Sequence, residues 1–359
     1  MTVADQHGST AASGLAAAYG LVDADLVAMY RTMALARALD ERMWVLNRSG
    51  RAPFVISGQG HEGAQVGIAW PLRRDHDWVA PFYRSIATCL VAGMTPRELM
   101  LAQFARGSDP SSGGRQMPGH YGHAGHHVVS VSSPVATQIL HAAGIALAAR
   151  IRGLDQVAMA IMGEGSSNQG DVHEALNFVA IHRLPFVFVV ENNGYAISVP
   201  AERELSVRDV ADRAAGYGIP GTVVDGTDVL ACYAAARDAV DRARRGDGPS
   251  MIEAKVTRLT GHSSDDQQTK YRSEAELAET RALDPLPIFR DQLRAAGVLD
   301  EVAQLEIDGD VALAVEDATA FAEAEPDPDP ATGVDHVFAD RSSNEPPPPW
   351  HPAPREGAR

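Results

Sequence analysis

The sequence predicts an α/β protein with a mostly parallel sheet flanked by helices. Strand-like apolar segments alternate with helical patterns from about residue 134 onward, which is typical of βαβ units. Segment 185–191 is almost wholly apolar, as expected for a strand whose sheet is covered on both faces. A chain of 359 residues with 45% hydrophobic and 22% charged residues has the composition of a globular domain with a large core.

The first third of the chain is predicted to be mainly helical. Apolar residues recur at helical spacing between Leu26 and Leu46, and segments 61–74 and 94–106 show the same period. In the last of these, Thr95 is the expected N-cap and Pro96 the first helical residue. The stretch "WVAPFYRS", between segments 61–74 and 94–106, is a candidate strand with a polar end.

Residues 107–133 form a loop rich in Gly, Ser and His, and loops longer than about 15 residues in a compact domain are usually functional or disordered. We expect this loop to be functional, and a second polar surface loop is expected at 260–273. The other expected elements are a helix at 134–151, strands at 157–163, 185–191, 222–225 and 250–259, a helix at 171–182, and helices continuing to about residue 324.

Residues 23–340 are expected to form a single domain. The first twenty residues have neither a basic start nor a continuous apolar segment, so residues 1–22 are interpreted as a flexible lead-in and not as a targeting signal. The proline-rich segment 341–359 is expected to be an extended, weakly ordered tail.

Charge and cysteine content exclude several classes of function. The net charge is -16 and no segment concentrates Lys and Arg, so nucleic acid is not an expected partner. No apolar run approaches the roughly 20 residues that span a bilayer. Cys89 and Cys232 are expected to be reduced core residues, which favours a cytoplasmic location.

The loop "GEGSSNQG" (163–170) follows a predicted strand and carries an acid, Glu164, between its first two glycines. Its spacing does not fit the G-x-G-x-x-G of dinucleotide folds, and it lacks the Gly-Lys-Ser/Thr of a P-loop. An ordinary tight turn between strand and helix remains an alternative.

The next strand ends in an asparagine pair. If the intervening helix makes a right-handed crossover, strands 157–163 and 185–191 have their carboxyl ends at the same sheet edge, where ligands bind in open parallel sheets. Because such strands lie about 4.8 Å apart, Glu164 and Asn193 could share one cation. Oxygen ligands suit magnesium or calcium, and magnesium commonly bridges to substrate phosphates.

The acid-containing loop and the asparagine pair, separated by 26 residues (166 to 191), resemble the signature of enzymes that use thiamine diphosphate. Further motifs occur in the order seen in one family: "RQMPGHYG", "SSPVATQ", "ENNGYAISVP", "YGIPGTVVDGTDV" and "GHSSDDQQTKYR". From about residue 25 to 340 the chain resembles the α subunit of the decarboxylating component of branched-chain 2-oxoacid dehydrogenase complexes. The resemblance implies a thiamine diphosphate-binding fold.

The resemblance assigns a magnesium site and a diphosphate site to the two loops. Magnesium would be held by Glu164, Asn193 and the backbone carbonyl of Tyr195. Gly165 and Ser166 would approach the diphosphate, helped by the amino end of the following helix.

Other motifs imply further cofactor contacts. Tyr83 and Arg84 match a pair beside the cofactor, with Arg84 bonded to phosphate. His262 matches a histidine at the reactive end of the cofactor, where it would stabilise or protonate intermediates. Ser133 would face the cofactor.

The segment "SSPVATQ" matches one that binds a monovalent cation, which we expect to be potassium. The implied ligands are Ser132, Pro134, Thr137 and Gln138. A helix start with serine as cap and Pro134 at the first helical position is compatible with this role.

One departure from the pattern concerns Glu191, because some family members have a phosphate-binding arginine there. A cluster of neighbouring histidines is not interpreted as a zinc site, because only His120 of the set falls on the family pattern. The set consists of His120, His123, His126 and His127.

The resemblance implies oxidative decarboxylation of branched-chain 2-oxoacids such as 2-oxoisovalerate (3-methyl-2-oxobutanoate), with acyl transfer to a lipoyl-bearing acyltransferase. Because the β subunit supplies the glutamate that contacts the pyrimidine ring of the cofactor, we expect an α2β2 heterotetramer. The open alternatives are a pyruvate or acetoin dehydrogenase α subunit, a non-catalytic scaffold of the same fold and, more distantly, a nicotinamide dehydrogenase.

Overall fold

The computed structural model describes residues 13–335 of the chain. The α-helices in this part are α1 (Gly14–Ala18), α2 (Asp23–Arg48), α3 (Glu62–Ala69), α4 (Ile86–Ala92), α5 (Pro96–Gln103), α6 (Thr137–Arg152), α7 (Gly170–Ile181), α8 (Val229–Arg244), α9 (Glu274–Ala282), α10 (Pro285–Ala295) and α11 (Glu301–Ala324). The strands are β1 (Trp78–Ala80), β2 (Ala158–Gly163), β3 (Phe186–Asn192), β4 (Tyr195–Ala196), β5 (Val199–Pro200), β6 (Gly221–Asp225) and β7 (Ser250–Lys255).

The main sheet has five strands in the order β1-β2-β3-β7-β6, and every neighbouring pair is parallel. Strands β4 and β5 form a separate antiparallel pair. The predicted α/β class with a mostly parallel sheet is confirmed.

Helices cover both faces of the sheet, which explains why strand β3 is apolar from Phe186 to Val190. Ile161 and Val189 belong to one core cluster, which includes side chains of α2, α3 and α8. Phe186 and Phe188 belong to a second cluster with side chains of α6 and α7 on the other face. Every residue of β3 is buried, so the sheet forms a rigid base for the loops at its carboxyl edge.

Several predicted elements have shorter or shifted bounds. Helix α5 begins as expected, since Thr95 accepts a hydrogen bond from the Glu98 amide and Pro96 is the first helical residue. Strand β1 ends at Ala80 and strand β7 at Lys255, so the polar ends of both predicted strands are loops. Helices α4 and α8 were not assigned from the sequence.

The segment expected to be a flexible lead-in contains helix α1 in its described part, and Ala16 and Leu21 are buried. Residues 1–12 and the proline-rich tail 341–359 lie outside the described residues. Cys89 and Cys232 are free and buried, as predicted. In the described part of the chain, none of the helices is long and apolar enough to cross a membrane.

Candidate active site

The carboxyl ends of β2 and β3 bring the acid-containing loop and the asparagine pair together. Their register places Gly163 opposite Glu191, so the residues that follow leave the sheet side by side. The Asn193 amide donates to Glu164 Oε2 at 3.2 Å. The prediction that a right-handed crossover brings Glu164 and Asn193 together is therefore confirmed.

The Glu164 carboxyl group is buried and only partly satisfied. It is 1% exposed, and no partner among the described residues contacts its Oε1. Burial raises its pKa. A second acid, Glu204, lies nearby, and burial together with the Glu164 charge raises the pKa of Glu204 to about 7. Two carboxyl groups and a free buried oxygen provide a suitable environment for a cation.

The two asparagines have different roles. Asn192 is structural, because its Nδ2 donates to Glu253 at 2.7 Å and its Oδ1 accepts from the Gly194 amide at 2.9 Å. Gly194 has φ +82°, which a glycine adopts without strain. Asn193 instead contacts Glu164 through its backbone amide, while its Oδ1 accepts from the Tyr195 amide at 3.2 Å and its Nδ2 lies 3.5 Å from His61 Nε2. Two of the three expected magnesium ligands, Asn193 and Tyr195, therefore lie in one turn, and the third, Glu164, contacts the backbone of that turn.

Gly165 is required by packing. A Cβ atom at this position would lie 2.6 Å from the Ala196 Cβ. Gly165 and Ser166 belong to a 3-10 turn, Gly165–Asn168, that separates the acid from the start of α7 at Gly170. Helix α7 therefore begins one residue before the predicted position 171, directly after this turn.

Tyr83, Arg84 and His262 converge on one side of this edge. Arg84 is 1% exposed, and it donates from Nη1 to the Ser57 carbonyl at 2.7 Å and from Nη2 to His262 Nδ1 at 2.8 Å. Its guanidinium also lies 5.3 Å from the Tyr83 ring centroid. Burial and the neighbouring Arg84 charge lower the pKa of His262 to about 4, so the imidazole is neutral at pH 7.

Arg258 is a site residue that the sequence reasoning missed. Its side chain is 1% exposed, and its Nε and Nη1 atoms lack a partner among the described residues. Its Nη2 donates to the Tyr271 hydroxyl at 2.7 Å. Burial and the nearby Arg84 lower the pKa of Arg258. A buried guanidinium with two free donors is suited to an anion, but a single arginine after a strand gives no signal of this in the sequence.

Glu191 contacts helix α3 and the residue before it. Its Oε2 lies 2.6 Å from His61 Nδ1 and accepts from Gln65 Nε2 at 3.1 Å. The Glu191 and His61 side chains are both fully buried. Glu191 stands where some family members have a phosphate-binding arginine, and in this structure its carboxylate contacts protein groups.

The segment expected to bind potassium does not begin a helix at Pro134. Helix α6 begins at Thr137, and its N-cap is Ala136 with φ +73°, so the predicted serine cap with Pro134 at the first helical position is wrong. The Thr137 hydroxyl donates to the Pro134 carbonyl at 2.9 Å. Gln138 Nε2 donates to the Ile161 carbonyl at 3.2 Å, while its buried Oε1 lacks a partner in the described structure. Ser132 lies in the same turn.

The four neighbouring histidines do not converge on one point. His120 Nε2 lies 2.7 Å from the Ser133 hydroxyl, and His127 stacks on Trp78 with ring centroids 4.2 Å apart. His123 and His126 contact each other away from these two. Ser133 is thus held by His120 in the loop that leads to α6.

Together, the parallel sheet, the partly satisfied carboxylate and the buried guanidinium groups define an α/β protein with charged groups at the carboxyl edge of its sheet, where ligands bind in open parallel sheets. Residues 30–331 match the family model of the dehydrogenase E1 component. The chain belongs to this family.

Curated relatives match over most of their length. The 2-oxoisovalerate dehydrogenase subunit alpha of Bacillus subtilis is 51% identical over 323 residues, 90% of this chain and 98% of that protein. The 3-methyl-2-oxobutanoate dehydrogenase subunit alpha of Mycobacterium tuberculosis is 42% identical over 270 residues, 75% of this chain and 71% of that protein. The pyruvate dehydrogenase E1 component subunit alpha of Staphylococcus aureus is 36% identical over 303 residues, 83% of this chain and 79% of that protein.

Proposed function

We propose that this chain is the α subunit of an enzyme that oxidatively decarboxylates branched-chain 2-oxoacids and transfers the acyl group to a lipoyl-bearing acyltransferase. The proposed cofactors are thiamine diphosphate and magnesium. The observation that carries the proposal is the unpartnered, buried Oε1 of Glu164 beside Asn193. The 51% identity to the Bacillus subtilis 2-oxoisovalerate dehydrogenase subunit supports the substrate class.

The residues at the sheet edge fit a metal-bound diphosphate. Glu164 Oε1, Asn193 and the Tyr195 carbonyl would hold magnesium, and Gly165 and Ser166 would lie along the diphosphate. Oxygen ligands are those that magnesium prefers, and its remaining positions suit phosphate oxygens. A cation would also offset the charge shared by the two neighbouring carboxyl groups.

Two buried guanidinium groups are suited to the anionic part of the cofactor. The free Nε and Nη1 donors of Arg258 would bind phosphate oxygens, and Arg84 would contribute its positive charge, with Tyr83 packed on its guanidinium. Ser133 would face the cofactor from its position against His120.

Thiamine diphosphate, when bound, supplies the carbanion that attacks the 2-oxo carbon. The protein orients His262 through Arg84, which can only donate hydrogen bonds. His262 Nδ1 is therefore an acceptor, and the proton of the neutral ring lies on Nε2. From there it can donate to an oxygen of the 2-oxoacid and take part in proton transfer.

A potassium ion is proposed at the turn before α6. Its ligands would be oxygen atoms of four residues, Ser132, Pro134, Thr137 and Gln138. The support is the buried, unpartnered Oε1 of Gln138 at the start of this helix. An ordered ion would hold the loop that carries Ser133 against the cofactor site.

The chain is proposed to act with a β subunit in an α2β2 heterotetramer, located in the cytoplasm, as its reduced, buried cysteines favour. The relatives it matches are named as alpha subunits. The test is to measure 2-oxoisovalerate decarboxylation by the chain alone and after co-expression with a matching β subunit. Activity should appear only in the assembled enzyme, and full turnover by the chain alone would contradict the proposal.

Pyruvate dehydrogenase is the second candidate, favoured by the 36% identity to the Staphylococcus aureus pyruvate dehydrogenase subunit. A non-catalytic scaffold is less favoured, because Glu164, Asn193, Arg84 and His262 are brought together with free donors and acceptors.

A further inference from the structure

A cluster of metal-ligating side chains lies outside the site described above. Glu98, His123 and His126 each present one ligand atom, and these atoms lie within 4.8 Å of one another. Glu98 stands in the first turn of α5, and the histidines belong to the loop 107–133. The side chains of all three are partly buried.

Local backbone structure brings the two histidines to the same side. Residues Ala124–His126 form a 3-10 turn whose N-cap is His123. Because a 3-10 helix has three residues per turn, side chains at positions i and i+3 are eclipsed. The His123 and His126 rings accordingly lie with centroids 4.3 Å apart. The sequence "HAGHH" thus brings two imidazoles side by side, with one ligand atom of each within 4.8 Å of the other and of Glu98.

Neighbouring groups orient the cluster as they orient ligands in metal sites. His126 Nδ1 lies 2.9 Å from Asp75 Oδ1, so this nitrogen donates to the carboxylate and Nε2 keeps its lone pair. Glu98 Oε2 accepts from the Thr95 amide at 2.7 Å and from the Thr95 hydroxyl at 3.0 Å. Glu98 Oε1 remains, and it lies 3.3 Å from His123 Nε2.

His123 must change its protonation to bind a metal. Its Nδ1 accepts from the His126 amide at 3.1 Å, so the proton of the neutral ring lies on Nε2. A cation at Nε2 would displace that proton to Nδ1, and the backbone hydrogen bond would be lost.

We propose that Glu98, His123 and His126 bind a divalent transition-metal ion of the zinc class. Two imidazoles and one carboxylate are a ligand set that zinc accepts, with a fourth position left for water. This chemistry differs from the all-oxygen set at Glu164, which suits magnesium. The ion would tie the loop that carries His120 and Ser133 to the start of α5.

The test uses the full chain after removal of metals with a chelator. Zinc binding is measured by titration calorimetry with magnesium in excess, so that the oxygen site does not compete. Cobalt(II) is added in a parallel experiment, because its visible absorption spectrum reports nitrogen ligation and a four-coordinate geometry. The wild-type chain should bind one zinc ion at this cluster and give the cobalt spectrum.

Matched variants localise the binding. H123Q and H126Q should lose zinc binding and the cobalt spectrum, and D75N should weaken zinc binding by about 10- to 100-fold, as loss of an outer-shell partner does. H127Q is the control, because His127 lies in the same loop but stacks on Trp78. Far-ultraviolet circular dichroism of each metal-free variant establishes that it is folded. Absence of zinc binding by the wild type, or equal binding by folded H126Q and H127Q, would overturn the proposal.

Discussion

Arg84 Nη2 lies 2.8 Å from His262 Nδ1, and this contact determines the state of the histidine. Because a guanidinium has no acceptor, His262 must present a lone pair to it and remain neutral. The same charge, together with burial, lowers the pKa of His262 to about 4. An imidazole that is neutral at physiological pH, with its remaining proton on Nε2, is therefore available to the substrate.

This contact predicts how stability depends on pH. The pKa of His262 falls from 6.5 to about 4 on folding, so the unfolded chain binds the extra proton first. Stability from this group is present above pH 6.5 and is lost as pH falls toward 4. Urea unfolding of the cofactor-free chain should show that H262N loses less stability than wild type across this window. Parallel curves for the two proteins would contradict the assigned pKa direction.

Glu164 is predicted to be necessary for cofactor binding and unnecessary for folding. E164Q removes a buried charge whose Oε1 lacks a partner among the described residues, so the cofactor-free variant should be at least as stable as wild type. Magnesium-dependent binding of thiamine diphosphate should weaken at least roughly 100-fold, since even outer-shell changes cost about 10- to 100-fold. Calorimetry measures the affinity, with exposed Glu174 changed to Gln as the control. Unchanged affinity in E164Q would remove the metal role.

Arg258, like Glu164, is predicted to contribute to cofactor binding and to be unnecessary for folding. R258M replaces a buried guanidinium that has two unpartnered donors, so the cofactor-free chain should retain or gain stability. Affinity for thiamine diphosphate should fall about 10- to 100-fold, the loss expected for one or two charge-assisted hydrogen bonds. R208M is the control, because the Arg208 side chain is 93% exposed. Unchanged affinity in R258M would contradict the proposal that the free Nε and Nη1 donors of Arg258 bind the cofactor.

Glu191 is predicted to stabilise the fold without opposing the diphosphate. Its Oε2 is shared by His61 and Gln65, and its buried Oε1 lacks a partner among the described residues, so E191L removes the acceptor that both donors use. Stability should fall by about 1–3 kcal/mol, measured by urea unfolding. Affinity for thiamine diphosphate should stay near the wild-type value. Tighter binding by E191L would indicate that the Glu191 charge repels the phosphates.

Reasoning from residue patterns alone predicted only the contact that follows from the order of the strands. Glu164 and Asn193 follow adjacent parallel strands, and the crossover rule alone brings their ends together. Tyr83, Arg84 and His262 are far apart in the chain, and only the family resemblance indicated that they meet. Their contacts in the structure agree with that expectation, while their catalytic roles remain predictions.

Other features depended on backbone details that residue types do not specify. Helix α6 begins late because Ala136 adopts a left-handed conformation, which is uncommon for alanine. Arg258 gave no signal, since its burial and its contact with Tyr271 depend on the tertiary fold. The pairing of His123 with His126 required a 3-10 turn, and their approach to Glu98 required the tertiary fold.

The central claim is that this chain supports decarboxylation of branched-chain 2-oxoacids together with a β subunit. The most direct measurement is kcat/KM of the assembled enzyme for 2-oxoisovalerate and for pyruvate, at saturating thiamine diphosphate and magnesium. Because each methylene in an apolar pocket is worth about 1–3 kcal/mol, 2-oxoisovalerate should be preferred by at least about 10-fold. A preference for pyruvate would contradict the branched-chain assignment, and absence of turnover with both substrates would contradict the proposed enzyme.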